Sequence, residues 1–202
     1  MLKLYYAQGA SSLAPHIALR EAGLPFALER VNLREKTTSE GTPLAKVHRR
    51  GYVPILELPD GRRVTEVTVI LRVIDELAPG AALMPAPGSA ERIEAEEWLA
   101  YTATELHKGV SPLFASFVSG ASKEAYREVL QTKLTALEAD LRGRDYVMGD
   151  HFTLADAYLF PVLGWTRWVK VDLGAWPGLV AYSERMRARP AVRAALDAEK
   201  PQ

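Results

Sequence analysis

Apolar residues in the second half of the chain recur at alternating spacings of four and three, the period of one face of an α-helix. One series predicts a long helix whose buried face carries Leu99, Ala103, Leu106, Val110, Leu113 and Phe117. Pro112 should kink this helix, because proline lacks the N–H that the helical hydrogen bond needs. A second series predicts another helix with Tyr126, Leu130, Leu134, Leu137 and Leu141 on its buried face. Nearly every side chain of "FTLADAYLFPVLGW" is apolar or small, which predicts a third helix buried all round.

The first part of the chain mixes strand and helix patterns. Strand-like runs at Lys3–Ala7 and Phe26–Val31 flank a predicted helix from Ser12 to Ala22, which Gly23 can end. A strand, helix, strand unit of this length makes a right-handed parallel crossover.

Two further strand-like runs, Val53–Leu58 and Arg62–Glu66, flank the turn sequence "PDG". Asp60-Gly61 in that turn indicates an antiparallel hairpin. A last helix, from about Thr68 to Leu77, is predicted to face the sheet with Val69, Ile70, Val73 and Leu77. The order βαβ followed by ββα is typical of a thioredoxin-like fold.

The two patterns meet in the proline- and glycine-rich stretch "APGAALMPAPGSAE". Such a stretch is typical of a linker. We therefore expect an α/β thioredoxin-like domain over residues 1–80, a linker over 81–90 and an all-helical domain over 91–202.

The charge balance gives no sign of a charged partner. The 25 basic side chains match the 25 acidic ones, which argues against non-specific binding to nucleic acid or to an anionic membrane. "HRRG" at 48–51 is the densest basic spot, and it is too short for more than a solvated loop. No apolar run reaches the roughly 20 residues of a membrane span, and the N-terminal apolar run breaks at Gln8. We expect a cytoplasmic protein.

The chain contains no cysteine, which excludes disulfides, thiolate metal sites and a cysteine nucleophile. Any thiol chemistry would therefore use the thiol of a ligand. Four histidines without ligand spacing predict no metal site, and no glycine-rich phosphate loop is present.

Ser11 and Ser12 stand at the predicted start of the first helix. Ser12 suits the N-cap, where its oxygen would accept from the N–H of Ala14. One hydroxyl suffices for capping, so Ser11 would point towards the free N–H groups and the positive end of the helix dipole, where an anion is favoured. Ser11 has no neighbouring base to make it a nucleophile, but its hydroxyl can donate a hydrogen bond to a bound thiolate.

Two other junctions could meet a ligand. Pro54 either opens an edge strand or follows a cis peptide bond that turns the backbone of Val53 outward. Glu66, Val67 and Thr68 either cap the following helix or offer its free N–H groups to a ligand carboxylate.

The helical half offers fewer candidates. His107 and Lys108 lie beside the apolar stripe, where a histidine is more often a surface or interface residue than a catalytic one. Thr153 and Asp156 form a capping box with Phe152 as a possible staple, which we assign to folding. The tryptophans at 165, 168 and 176 are interpreted as core or packing residues rather than as a ligand cage.

Together these motifs resemble the glutathione S-transferases, and specifically the bacterial beta class. The resemblance covers essentially the whole chain, and its most specific stretches are "GASSLAPHIALREAG", "GYVPILELPDGRRVTE", "EWLAYTATELHKG" and "MGDHFTLADAYLF". It implies a thioredoxin-like domain joined to an all-helical domain, a homodimer, and an active site between the domains.

The resemblance also implies roles for individual residues. Glutathione would be bound as a co-substrate, without a permanently bound cofactor, by Lys36, Val53, Pro54, Glu66, Val67, Glu105 and Lys108. Val53 would meet the cysteinyl part beside a cis-proline at Pro54, and Lys36 the glycyl end. Glu66 and Val67 would meet the γ-glutamyl end. Glu105 would reach the glutathione of the partner subunit, and His107 with Lys108 would line the site near the thiol.

Several positions depart from the beta-class pattern. Ser11 stands where these enzymes usually carry a cysteine, so the mixed disulfide of that cysteine with glutathione is lost. Val67 replaces a serine or glycine, Ala100 replaces an asparagine, and "KVHRRGYVP" replaces an "NPKG" type loop. Each lost charge-associated hydrogen bond would cost about 1.5–3 kcal/mol, so several together would weaken glutathione affinity.

The first hypothesis is a glutathione transferase that detoxifies a small hydrophobic electrophile, with Ser11 holding the thiolate and His107 assisting. The competing hypothesis is a transferase-like binding or interaction protein with a degraded glutathione site, which Val67 and Ala100 favour. A glutathione-dependent isomerase or dehalogenase is a third possibility.

Overall fold

Five strands form one mixed sheet within residues 1–200, which are the residues that the computed structural model describes. The strands are β1 (Leu2–Tyr6), β2 (Phe26–Asn32), β3 (Thr37–Thr38), β4 (Ile55–Glu57) and β5 (Arg63–Thr65), in the spatial order β3-β2-β1-β4-β5. β1 pairs in parallel with β2, and β4 pairs antiparallel with both β1 and β5. The predicted parallel unit and the predicted hairpin are therefore both confirmed.

Three helices accompany this sheet: α1 (Leu13–Glu21), α2 (Leu44–Val47) and α3 (Val67–Leu77). Gly23 ends α1 as predicted, because its φ of 64° lets the N–H of Leu24 reach back to the carbonyl of Leu19 at 3.1 Å. The βαβ–ββα order of a thioredoxin-like fold is confirmed.

The predicted buried face of α3 is correct at Ile70, which is fully buried, and wrong at Val69 and Leu77. The buried side chains are those of Val67, Ile70, Leu71 and Ile74. Val69 is 38% exposed and Leu77 46% exposed. The helix begins at Val67, and the residues three, four and seven positions after Val67 lie on the same face of the helix. This face is rotated away from the predicted one.

Six further α-helices lie within residues 84–200: α4 (Ala90–Tyr101), α5 (Lys108–Phe114), α6 (Gly120–Asp140), α7 (Leu154–Gly164), α8 (Pro177–Ala188) and α9 (Pro190–Ala198). A π-helical segment, Thr102–His107, joins α4 directly to α5, so the long predicted helix is built from three consecutive pieces. Phe117 lies beyond the end of α5 and is 90% exposed, so its predicted burial is wrong. The chain leaves the helix at Ala115, whose backbone is extended.

α7 is buried from Leu154 to Leu163, as its composition predicts. Its capping box is also confirmed, since the carboxylate of Asp156 accepts from the Thr153 N–H at 2.8 Å. Trp165 and Trp176 are buried, whereas Trp168 is 49% exposed and lies outside the core. The guanidinium of Arg167 stacks on the face of Trp168, which gives that ring a partner outside the core.

The described residues divide into two compact units: Met1–Leu83 together with residues 190–200, and Met84–Arg189. The predicted boundaries assign α9 to the helical domain, but α9 packs on α1 of the first unit. Val192 and Ala195 of α9 are fully buried. Among the helices of residues 1–200, none is both long and apolar enough to cross a membrane.

Candidate functional site

Ser11 lies in the turn between β1 and α1. Its side chain is buried to 7% exposure, and no group within residues 1–200 hydrogen-bonds its hydroxyl. Its carbonyl accepts from the N–H of Ala14 at 3.1 Å, so the backbone is already turning into the helix at this residue. A hydroxyl without a protein partner at a helix start can donate to a ligand.

The predicted capping role of Ser12 is wrong. Ser12 occupies the N-cap position, but its Oγ accepts from the N–H of Ala7 and donates to the carbonyl of Ala7, both at 3.1 Å. The backbone of Ser12 is helical, and Ala14 already has the Ser11 carbonyl as its partner. Ser12 therefore ties the start of α1 to the end of β1.

A buried carboxylate from the C-terminal segment holds this turn. Glu199 is 3% exposed; its Oε1 lies 2.9 Å from Nδ1 of His16, and its Oε2 accepts from the N–H of Gly9 at 3.4 Å. Nε2 of His16 accepts from Nε of Arg20 at 3.0 Å. Because Arg20 can only donate, the proton of the His16 ring is on Nδ1 and points to Glu199. Sequence reasoning missed Glu199, because nothing local links it to a turn at the other end of the chain.

The Val53–Pro54 peptide bond is cis, which decides between the two alternatives that the sequence leaves open. Pro54 is buried directly before β4. The side chain of Val53 packs against a cluster of buried residues that includes Tyr5 and Ile55. This packing holds Val53 in place directly before β4.

Glu66 has a left-handed backbone, with φ of 70° at the N-cap of α3. A non-glycine residue in this region is strained and persists only where its surroundings hold it. Its Oε1 accepts from the hydroxyl of Tyr52 at 2.6 Å and from Nη1 of Arg50 at 2.5 Å. Arg50 also donates to Oγ1 of Thr65 at 3.3 Å. Arg50 lies in the "HRRG" stretch that the sequence interprets only as a solvated loop, so its role in holding Glu66 was missed.

Val67 begins α3, where the first N–H groups of a helix have no carbonyl partner within the helix. Its side chain is 6% exposed and belongs to the core. The side chain thus faces inward, while the backbone keeps the anion-binding character of a helix start.

Lys36 stands in the loop between β2 and β3, with φ of 55° and an exposed side chain. Its carbonyl accepts from the N–H of Leu44 at 2.7 Å, which fixes the loop to the start of α2. The structure thus places Ser11, Lys36, Val53, Glu66 and Val67 in the first compact unit.

The second unit holds the candidates Glu105, His107 and Lys108, and His107 is the best defined of them. Its Nδ1 lies 2.8 Å from the hydroxyl of Tyr158 in α7. Its ring stands edge-on to Trp165 at 4.7 Å, and Phe114 meets the same tryptophan at 6.3 Å. Tyr158 was missed, because the sequence assigns α7 to the core alone. When the tyrosine hydroxyl donates to Nδ1, the imidazole proton is on Nε2.

Glu105 already has a partner in its own chain. Nζ of Lys133 donates to its carboxylate at 2.7 Å and to its carbonyl at 3.0 Å. Lys108 and Ala100 are exposed. No group of three or more histidine, aspartate or glutamate side chains within residues 1–200 is arranged to hold a metal ion.

Two family models match the chain. Residues 11–77 match "Glutathione S-transferase, N-terminal domain", and residues 101–190 match "Glutathione S-transferase, C-terminal domain". The glutathione S-transferase GstA of Escherichia coli O157:H7 is 40% identical over 198 residues, which cover 98% of each chain.

Solved structures show the same similarity. A sphingomonad glutathione S-transferase complexed with glutathione has a TM-score of 0.93 at 42% identity, with 98% of each chain covered. The bacterial beta-class glutathione S-transferase of Sphingomonas chungbukensis has a TM-score of 0.93 at 40% identity, again with 98% of each chain covered. The similarity thus extends over nearly the whole chain.

Proposed function

This chain belongs to the glutathione S-transferase family, and from that premise we propose that Ser11 holds the glutathione thiolate for attack on a small hydrophobic electrophile. The protein is a glutathione transferase with glutathione as its co-substrate. The residues that bind glutathione, the electrophile and the oligomeric state belong to the proposal.

The observation that carries the proposal is the hydroxyl of Ser11, which has no partner among residues 1–200 and stands at the start of α1. A free thiol with a pKa of about 8.5 is only a few per cent ionised at neutral pH. A hydrogen bond from Ser11 and the positive end of the helix dipole both favour the charged form. Lowering the thiol pKa by about one to two units would make the thiolate a substantial species at pH 7.

Backbone and charged groups of the first unit would hold the rest of the tripeptide. Val53 would pair its backbone with the cysteinyl part beside Pro54, and Lys36 would meet the glycyl carboxylate. The N–H of Val67 would meet the γ-glutamyl carboxylate, and Glu66 would accept from its ammonium group. Arg50 and Tyr52 would keep Glu66 in the conformation that this contact needs.

The chemical step is a displacement. The thiol proton passes to solvent, the sulfur forms a bond to an electrophilic carbon, and the leaving group departs with its electron pair. His107 would assist by donating from Nε2 to the developing negative charge, with Tyr158 fixing its tautomer. Lys108 would line the same region. With no cysteine in the chain, a mixed disulfide with the enzyme is not part of the mechanism.

In the predicted homodimer, Glu105 would meet the glutathione of the partner subunit. Its carboxylate is bound by Lys133 within the chain, so this contact would be shared with that ammonium group. The homodimer and the cytoplasmic location stay predictions.

The experiment is isothermal titration with reduced glutathione, together with an absorbance assay of conjugation to 1-chloro-2,4-dinitrobenzene. Binding between micromolar and low millimolar, with turnover that is lost when Glu66 or Ser11 is replaced by alanine, supports the proposal. Binding without turnover of any electrophile favours the alternative, a ligand-binding member of the family, to which Val67 and Ala100 point. No heat of binding at about 10 mM glutathione contradicts the proposed site.

A further inference from the structure

A cavity of about 510 Å³ opens in the first unit at the ends of β1 and β2. We call it the arginine cavity. Its polar lining includes Gln8, Arg30 and Arg34, and its apolar lining includes Ala7 and Val31. Ala7 and Val31 are almost completely buried, so the floor is fixed, whereas the three polar side chains are exposed at its mouth. This volume is within the range of pockets that hold small organic molecules.

The sheet topology explains why the cavity forms there. β1 and β2 are parallel, with Tyr6 in register with Arg30, so both strands end at the same edge of the sheet. The following segments carry Gln8 on one side and Arg34 on the other. Ligands of α/β sheets bind at the carboxyl ends of the strands, because the loops diverge there and leave a crevice.

The arginine cavity lies directly beside the turn that carries Ser11. Ala7 forms part of its wall and exchanges two hydrogen bonds of 3.1 Å with the side chain of Ser12. The N–H of Ala10 also bonds to the carbonyl of Ala7, at 3.1 Å. The cavity wall and the turn that carries Ser11 are therefore joined through Ala7.

The positive charge of the residues that line the arginine cavity favours an anionic ligand. Two guanidinium groups line the cavity, and no acidic side chain does. The only hydrogen bond of the Arg30 side chain within residues 1–200 is a contact of 3.4 Å to Oε1 of Gln8, and Arg34 has no side-chain partner in that range. The nearby carboxylate of Glu29 is engaged by the N–H and hydroxyl of Ser39, at 2.9 and 2.7 Å.

We propose that the arginine cavity binds a carboxylate carried by the electrophilic substrate, so that the enzyme prefers electrophiles with an acidic group on an apolar body. This inference rests on the proposed function, since it names the substrate class of the same reaction. Guanidinium groups match a carboxylate with two parallel N–H···O bonds, and they fix its orientation. The buried floor of Ala7 and Val31 would contact the apolar body.

The test compares two electrophiles of nearly equal shape, 4-chloro-3,5-dinitrobenzoate and the neutral 4-chloro-3,5-dinitrobenzamide. In both, the glutathione sulfur forms a bond to the ring carbon that carries chlorine, and chloride leaves. The values of kcat/KM are divided by the uncatalysed rate with glutathione, which removes the difference in intrinsic reactivity. The wild-type protein is expected to prefer the benzoate by about tenfold or more.

The variants are R30Q/R34Q and, as a matched control, R62Q. Arg62 is an exposed arginine of the same unit, paired with Asp60 and outside the cavity. The double variant is expected to lose the preference for the benzoate while its kcat/KM for the benzamide is unchanged, and R62Q is expected to behave as wild type.

Two outcomes overturn the inference. One is an equal normalised rate for both electrophiles in the wild-type protein. The other is a rise in the KM for glutathione with either electrophile in R30Q/R34Q, which would assign the arginines to a carboxylate of glutathione.

A second measurement separates this inference from the proposed function. Isothermal titration with 3,5-dinitrobenzoate, which carries hydrogen instead of chlorine at the reacting carbon, is made with the same variants in the presence of glutathione. Binding to wild type and R62Q that is lost in R30Q/R34Q supports the cavity even if no electrophile is turned over. Equal binding to all three proteins, or binding to none of them, contradicts it.

Discussion

Nδ1 of His16 and Oε1 of Glu199 lie 2.9 Å apart, although 183 positions separate these residues in the chain. Both side chains are buried, and Glu199 also accepts from the N–H of Gly9, two residues before Ser11. Glu199 is thus part of the scaffold of the turn that carries Ser11.

Replacing Glu199 by alanine should destabilise the fold, because it removes the acceptor of the buried His16 N–H and the contact of the carboxylate with the Gly9 N–H. We expect the free energy of unfolding to fall by about 1–3 kcal/mol, measured by urea denaturation. The matched control is D197N, which removes an exposed carboxylate two residues before Glu199, paired with Lys200, and should change stability by less than about 0.5 kcal/mol. If both variants change the free energy of unfolding by the same amount, the hydrogen bonds of Glu199 to His16 and Gly9 do not contribute to stability.

Arg50 is expected to act on ligand binding rather than on stability. Its side chain is 42% exposed and that of Glu66 51% exposed, so this ion pair contributes little to the free energy of unfolding. R50Q should nevertheless raise the dissociation constant for glutathione by about tenfold, because Glu66 loses a charged partner that holds its conformation. Isothermal titration measures this change.

The control for R50Q is R49Q, since Arg49 is the adjacent exposed arginine. R49Q should bind glutathione as the wild-type protein does. If both variants lose the same affinity, the effect is that of net charge, and the proposed positioning of Glu66 is wrong.

Thr102 carries a buried hydroxyl without a hydrogen-bond partner within residues 1–200. Such a group loses its hydrogen bonds to water on folding, and no hydrogen bond within the protein replaces them. T102V should therefore raise the free energy of unfolding by about 1 kcal/mol, as measured by urea denaturation. T104V is the comparison in the same π-helical segment, because Thr104 is exposed and its hydroxyl donates to the carbonyl of Ala100. A clear loss of stability in T102V would show that the hydroxyl has a structural role.

Asp156 should make stability depend on pH. Burial raises the pKa of this carboxyl above its ordinary value of 3.8, although hydrogen bonds from Val147, Thr153 and Tyr182 oppose the shift. The folded state therefore keeps the proton to a higher pH than the unfolded state does. The stabilisation is complete below the unfolded pKa and is lost as pH rises through the folded pKa.

The difference in unfolding free energy between wild type and D156N isolates this effect, because asparagine does not titrate. We expect the difference to shrink as the pH of the urea denaturation is raised from about 3.5 to 7. A difference that grows with pH would mean that the four hydrogen bonds to Asp156 outweigh burial and lower its pKa.

Local patterns were sufficient to predict most elements of the fold. The αL conformation at Gly23, the hairpin at Asp60-Gly61 and the burial of α7 all follow from a few adjacent residues. Side-chain exposure was less predictable, because the predicted stripes assume regular helices. The end of α5 before Phe117 breaks that assumption, and in α3 the start of the helix at Val67 sets a different buried face.

The candidate site was predictable only where the chemistry is local. Ser11, Glu66 and Val67 stand at helix starts, which the sequence marks. Glu66 bonds to Arg50 and Glu199 bonds to His16, and in both pairs the residues are distant in the chain. No regular spacing in the sequence predicts either pair. The sequence indicated that the Ser11 hydroxyl is free for a ligand. It gave the Ser12 hydroxyl the wrong partner, because the hydrogen bonds of Ser12 to Ala7 depend on how β1 lies against the turn.

The central claim, that Ser11 stabilises the glutathione thiolate, is tested most directly by the ultraviolet absorbance of the thiolate in the glutathione complex, followed over pH in wild type and S11A. We predict an apparent thiol pKa about one to two units below 8.5 in wild type and a return towards 8.5 in S11A, with thermal unfolding little changed. The same titration curve in both proteins, at saturating glutathione, would contradict the claim and remove Ser11 from the mechanism.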